Sequence, residues 1–124
     1  MSKNEINLPS TNLNEISKKI HEYNVQAGWW PEDKETRNKA EILCLIHSEI
    51  SEAMEGLRKN LMDDKLPHRK MVEVELADAL IRLFDMAGAF GYDLDGAMNE
   101  KFEYNKHRAD HKLENRAKDD GKKF

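Results

Sequence analysis

Between sparse glycines and prolines, the apolar residues of this chain recur at intervals of three and four, the spacing of helix faces rather than of strands. Four helices follow. The first spans about 12–25, behind a Ser10, Thr11, Asn12 cluster suited to N-capping and ahead of Gly28. The second covers about 36–59. The third covers about 68–90, with Pro67 near its start and Gly91 at its end, and the fourth about 94–108, capped by Asp93. The predicted class is all-α, a helical bundle forming one domain over 1–124, with its core in about 12–108 and a charged tail, 109–124, expected to fray.

Helix three is apolar almost all round. Val72, Leu76, Ala79, Leu80, Leu83, Met86, Ala87 and Phe90 cover one side, and Val74, Ala77, Ile81 and Phe84 cover much of the rest. Its narrow polar strip holds Glu75, Asp78, Arg82 and Asp85. A four-helix monomer does not enclose one member so fully, so helix three, with helix two, is predicted to form a subunit interface. On helix two, Leu43, Ile46, Ile50, Ala53 and Leu57 follow a heptad-like seam. Beside it, the stripe begun by Ile42 and Leu45 continues as Glu49 and Glu52, so acids stand where a bundle ordinarily places apolar side chains.

Each acid pair is spaced i, i+3 and shares one helix face. If helices two and three pack antiparallel through the short connection 60–67, the pairs converge. Two unit charges about 4 Å apart repel by roughly 4 kcal/mol at an effective dielectric near 20, so protons or cations must relieve four carboxylates. A hard divalent ion with oxygen ligands, Mg2+ or Mn2+, is the economical solution, and it favours phosphate hydrolysis by acidifying water and polarising phosphoryl oxygens. Glu55 and Asp85 are left open between supporting that site and facing solvent, with Glu55 read as solvent-facing.

Rival metal sites fail on spacing. A di-iron bundle needs Glu-x-x-His pairs, and none of the five histidines stands three residues after a glutamate. The stretch "DLDG" at 93–96 mimics a calcium loop, but Phe102 falls where its bidentate glutamate belongs. Cys44 is the sole cysteine and sits in the apolar run "ILCLI", which excludes an intramolecular disulfide and predicts a small core residue.

Composition narrows the partners. Twenty basic and 24 acidic residues give a formal charge of −4, which offers no general attraction to nucleic acid or anionic membrane. The start carries no signal-type apolar region and nothing resembles a membrane span, so a soluble, cytoplasmic protein is expected. Lys101, Asn105 and Arg108 recur at four and three on helix four, a polar face able to neutralise phosphates or simply to be solvated. Trp29 and Trp30 precede Pro31 in a loop, where one ring can stack on a base and the other cap the core; Trp30 is marginally preferred for the base. His47 is read as a hydrogen-bonded structural histidine.

Taken together, Glu49 and Glu52, then 22 residues (53–74), then Glu75 and Asp78 form an ExxE–spacer–ExxD pattern. With Gly28, Trp29 and Trp30, and with Lys101, Tyr104, Asn105 and Arg108 after the third helix, this resembles the MazG-like branch of the all-alpha nucleoside triphosphate pyrophosphatases over roughly 12–108. The tail after Arg108 lacks the proline- and glycine-containing ending of similar chains. The resemblance implies a four-helix fold assembled as a homodimer or homotetramer. It also implies a Mg2+-dependent cleavage of nucleoside triphosphates to monophosphate and pyrophosphate, serving nucleotide-pool house-cleaning. By resemblance the metal ligands and catalytic acids are Glu49, Glu52, Glu75 and Asp78; the candidate substrate contacts are Trp29, Trp30, Lys101, Tyr104, Asn105 and Arg108. Which glutamate is the general base, and which base or sugar is preferred, are not singled out. The alternatives are a non-catalytic helical module binding metal, nucleotide or a protein partner, and a plain bundle whose acids pair with Arg58, Arg69 or Arg82.

Overall fold

The structure, a computed structural model, describes residues 5–10, 12–108 and 113–123. Among them are five α-helices: α1 Leu13–Gln26, α2 Lys39–Arg58, α3 Met71–Phe90, α4 Leu94–His107 and the single turn α5 Leu113–Arg116. The described residues contain no strand beyond one isolated antiparallel bridge, Met62 to Lys70, so the fold is all-helical. No described helix is long and apolar enough to cross a membrane. Of the capping cluster expected before α1, Thr11 lies outside the described residues, as do 109–112 of the tail.

Two helix starts fall later than their spacing suggested. Asp33 accepts from the Glu35 N–H and closes a short 3-10 turn, Lys34–Thr36, after which Asn38 caps α2 by accepting from the Glu41 N–H. α3 begins at Met71 because the preceding loop is tied to itself. The Asp63 carboxylate, 6% exposed, accepts from the N–H groups of Lys65 and Leu66, and Arg69 C=O accepts from the Asp63 N–H. That buried charge is thus satisfied by backbone donors.

Three helices end in the same way. Gly28, Asn60 and Gly91 adopt left-handed φ values of 86°, 52° and 69°. The next residue, Trp29, Leu61 or Tyr92, then donates its N–H back to Asn24, Gly56 or Ala87 C=O. This closure satisfies carbonyls that a helix end leaves bare and turns the chain sharply. After α1 it delivers Trp29 and Trp30 directly beside the helix they have just left.

By its contacts the chain divides into two compact units, Leu13–Tyr92 and Met1–Asn12 with Asp93–Phe124. In the first, α3 packs against both α1 and α2. Both pairs are antiparallel, because Gly56 meets Met71 while Glu49 reaches Arg82, and Ser17 meets Gly88 while His21 reaches Asp85. The core is the cluster Trp30, Ile42, Met86 and Ala89, with Ile46 and Phe90 against it. Trp30 is edge-on to His21 at 4.9 Å and to Phe90 at 5.9 Å.

The α1–α3 crossing depends on Gly88. A methyl group there would collide with the Ser17 backbone carbonyl and stand 2.9 Å from His21 Cβ. Gly88→Ala is therefore expected to destabilise by about 1–3 kcal/mol, the cost of overpacking outweighing the helix-propensity gain of about 1 kcal/mol; a urea denaturation midpoint measures it.

Much of the expected seam faces outward in the single chain. Ala53 is buried and Ile46 half-buried, but Leu43, Ile50 and Leu57 are exposed, as are Leu76, Leu80, Ile81 and Leu83 of α3. Cys44, expected in the core, is exposed: Ile42 and Ile46 turn inward, which leaves position 44 on the opposite side of α2. In the second unit, Asp93 caps α4 as expected, accepting from the Gly96 N–H. Lys106 there donates to Asn7 Oδ1 at 3.2 Å and to Glu103 Oε1 at 2.8 Å.

Candidate metal and phosphate site

α2 and α3 run antiparallel with their acids at matching heights, so Glu49 faces the turn of α3 that carries Glu75 and Asp78. Oxygens of these three carboxylates lie within 4.8 Å of one another, and all three side chains are half-buried. The structure brings together three of the four acids expected there. Glu52, one turn along α2, is exposed and stands outside the close group, although its charge still acts on Glu75.

Crowding shows in the proton affinities. Glu75 is pushed up to about 7, first by a side-chain hydrogen bond with Glu49, then by burial and by the charges of Glu49, Asp78 and Glu52. A protonated Glu75 can donate to the Glu49 carboxylate, one of the two ways to relieve such repulsion; a divalent ion is the other. Asp78 is also raised, by burial and by Glu49, against the opposing pull of Arg82 and Lys65. The donor set is all oxygen, which suits a hard cation of the Mg2+ type rather than a soft one.

One basic side chain already touches the group. Arg82 donates from Nε to Glu49 Oε1 at 3.1 Å, with side-chain exposures of 43% and 15%. The contact is monodentate and half in water, so it contributes no more than about 1 kcal/mol. The other two arginines considered as acid partners stay local: Arg58 lies 3.9 Å from Glu55 and Arg69 3.6 Å from Glu73. Glu55, expected to face solvent, is half-buried and bound mainly to Lys59 at 2.7 Å.

Beside the acids opens a cavity of about 570 Å³. Glu49, Asp78, Arg82 and Asp85 line it, together with Arg37, Trp29 and Asn24, while Ile42, Leu45 and Ile81 give it an apolar wall. Acids, guanidinium groups, an aromatic ring and an apolar wall therefore share one space. This volume falls in the range of small-molecule pockets.

The two tryptophans sit in opposite environments, and the one preferred in the sequence as a base platform, Trp30, is the buried one. Trp30 is 9% exposed, and its Nε1–H donates to both oxygens of Asp85 at 3.1 Å. The Arg37 guanidinium stands 4.3 Å from its ring centroid, so this face is taken. Trp29 is 72% exposed and lines the cavity. Asp85 is neither a solvent charge nor part of the acid group: it also accepts from His21 Nδ1–H at 2.9 Å, tying α1, the tryptophan loop and α3 together. His21 is thus the structural histidine, buried at 8%, whereas His47 is exposed. Arg37 was missed in the sequence; its only local signal was a cation six residues beyond Pro31.

Lys101, Tyr104, Asn105 and Arg108 belong to the second unit. Lys101 Nζ lies 4.8 Å from the Tyr104 ring centroid, and Arg108 Nη1 donates to Asn105 Oδ1 at 3.4 Å. Lys101, Tyr104 and Asn105 lie on α4, whereas Arg108, expected on the same helical face, is the C-cap with extended backbone (φ −69°, ψ 137°) just past the helix end.

In comparison with known proteins, the chain matches no family model, no curated protein and no solved structure.

Proposed function

We propose that the unit Leu13–Tyr92 carries the site of a divalent-cation-dependent phosphohydrolase. Within that class, the reading favoured is a nucleoside triphosphate pyrophosphohydrolase, cleaving the substrate to monophosphate and pyrophosphate. The observation that carries it is the meeting of Glu49, Glu75 and Asp78 on facing helices, beside a cavity that also presents Arg37, Arg82 and an exposed indole.

Glu49, Glu75 and Asp78 would hold the cation, Mg2+ or in its place Mn2+. When bound, it supplies charge neutralisation at phosphoryl oxygens and a lowered pKa for water. The chain itself does the rest. Arg37 and Arg82 offer planar N–H forks that match phosphate oxygens. Trp29 offers a ring face for a nucleobase, an interaction of about 1–3 kcal/mol per base. Glu52, outside the close group and exposed, is free to take a proton from the attacking water. The exposed apolar row on α2 and α3 supports self-association as a homo-oligomer.

A second reading draws on the Arg82–Glu49 ion pair: a non-catalytic helical module in which arginine already serves as the counter-ion. A panel of ribo- and deoxynucleoside triphosphates with Mg2+, scored for monophosphate and pyrophosphate, separates the two. Release of pyrophosphate from at least one member is expected. Inactivity across the panel, with metal present, favours the module.

A further inference from the structure

Arg82 stands where two ligands would want it. It holds Glu49 through Nε alone, and its terminal nitrogens make no hydrogen bond among the described residues. Its side chain is nearly half exposed and lines the same cavity as Arg37 and Trp29. A guanidinium and a divalent cation compete for the negative charge of one carboxylate, and a single exposed N–H contact yields readily to a doubly charged ion. Once released, the fork matches a phosphate far better than an ammonium would, and α3 keeps it beside the acids.

We infer that Arg82 is an exchangeable counter-ion and positioning residue, holding Glu49 while the acids are free of divalent cation and donating to a nucleotide phosphate in the cavity when they are not. This rests on the function proposed above. It adds a coupling: cation and phosphate binding assist one another through one side chain that cannot serve both partners at once, and such linkage is reciprocal.

The test is a titration of full-length wild type, Arg82→Gln and Arg82→Lys with Mn2+ alone, following free Mn2+ by electron paramagnetic resonance and folding by circular dichroism. Arg82→Gln is expected to bind Mn2+ at least about fivefold more tightly than wild type, because its competitor is gone. Arg82→Lys, which keeps the charge, is expected to fall between them. With a nucleoside triphosphate substrate, Arg82→Gln should raise KM about tenfold while changing kcat less, the mark of a lost binding contact. Unchanged or weaker Mn2+ binding by folded Arg82→Gln, or an unchanged KM, overturns the inference while leaving the proposed reaction standing. A wild type that binds no Mn2+ removes both.

Discussion

Glu75→Gln and Asp78→Asn should each lower pyrophosphate release by at least about a thousandfold, since the proposed reaction would draw several kcal/mol of transition-state charge stabilisation from a cation held by the intact acid set. Loss of activity alone is an ambiguous result, because misfolding produces it too. The crowding at Glu75 supplies the control. Its carboxyl is held at about 7 in the folded chain against an ordinary 4.5, so between these values the folded state binds the proton more tightly than the unfolded one. The resulting stability is fully present below about pH 4.5 and is lost as pH rises through about 7. Without divalent cation, wild type is therefore expected to weaken across that window. Glu75→Gln, which cannot ionise, should show less of this decline and match or exceed wild-type stability at pH 8. Added Mg2+ should restore wild type and do less for the variant. Dead enzyme with an equally or more stable fold is the signature of acids kept for chemistry at the expense of stability.

Asp85→Ala should cost about 2–4 kcal/mol, because it leaves the Trp30 indole N–H and the His21 Nδ1–H without their acceptor in a site where both side chains are buried. For a unit of this size that corresponds to a fall in Tm of about 10 °C or more, read by thermal circular dichroism. Asp85→Asn retains an acceptor oxygen and should lose less. Glu73→Ala, which breaks only an exposed pair with Arg69, should change stability by less than about 1 kcal/mol and serves as the reference. Asp85 also lines the cavity, so an effect on substrate affinity is expected beside the effect on stability.

What could be read from the residue order was what depends on neighbours in the chain. Gly28 and Gly91 mark helix ends because only a residue tolerant of positive φ closes them cheaply, and Asp93 marks a start because its side chain reaches an N–H three residues on. The meeting of Glu49 with Glu75 and Asp78 was also legible, since antiparallel packing through a short connection sets the register. The start of α2 was not, because Asp33 and Asn38 cap in succession and both suit the role. Nor was the difference in burial between Trp29 and Trp30. Adjacent and chemically alike, they are told apart by Asp85, 55 residues beyond Trp30, which accepts from one indole and not the other. Glu52 shared the i, i+3 pattern of Glu49 yet is exposed and outside the close group; helical spacing gives a face, not which carboxylates on it will meet. The exposed leucines of α2 and α3 show the same limit in another form, since an apolar stripe announces burial without naming what covers it.

The most direct measurement is a crystal structure of the protein grown with Mn2+ and recorded for anomalous scattering. The account predicts a peak among the carboxylate oxygens of Glu49, Glu75 and Asp78, with Arg82 withdrawn from Glu49. Carboxylates turned apart into solvent with no peak between them, while Arg82 still holds Glu49, would contradict it.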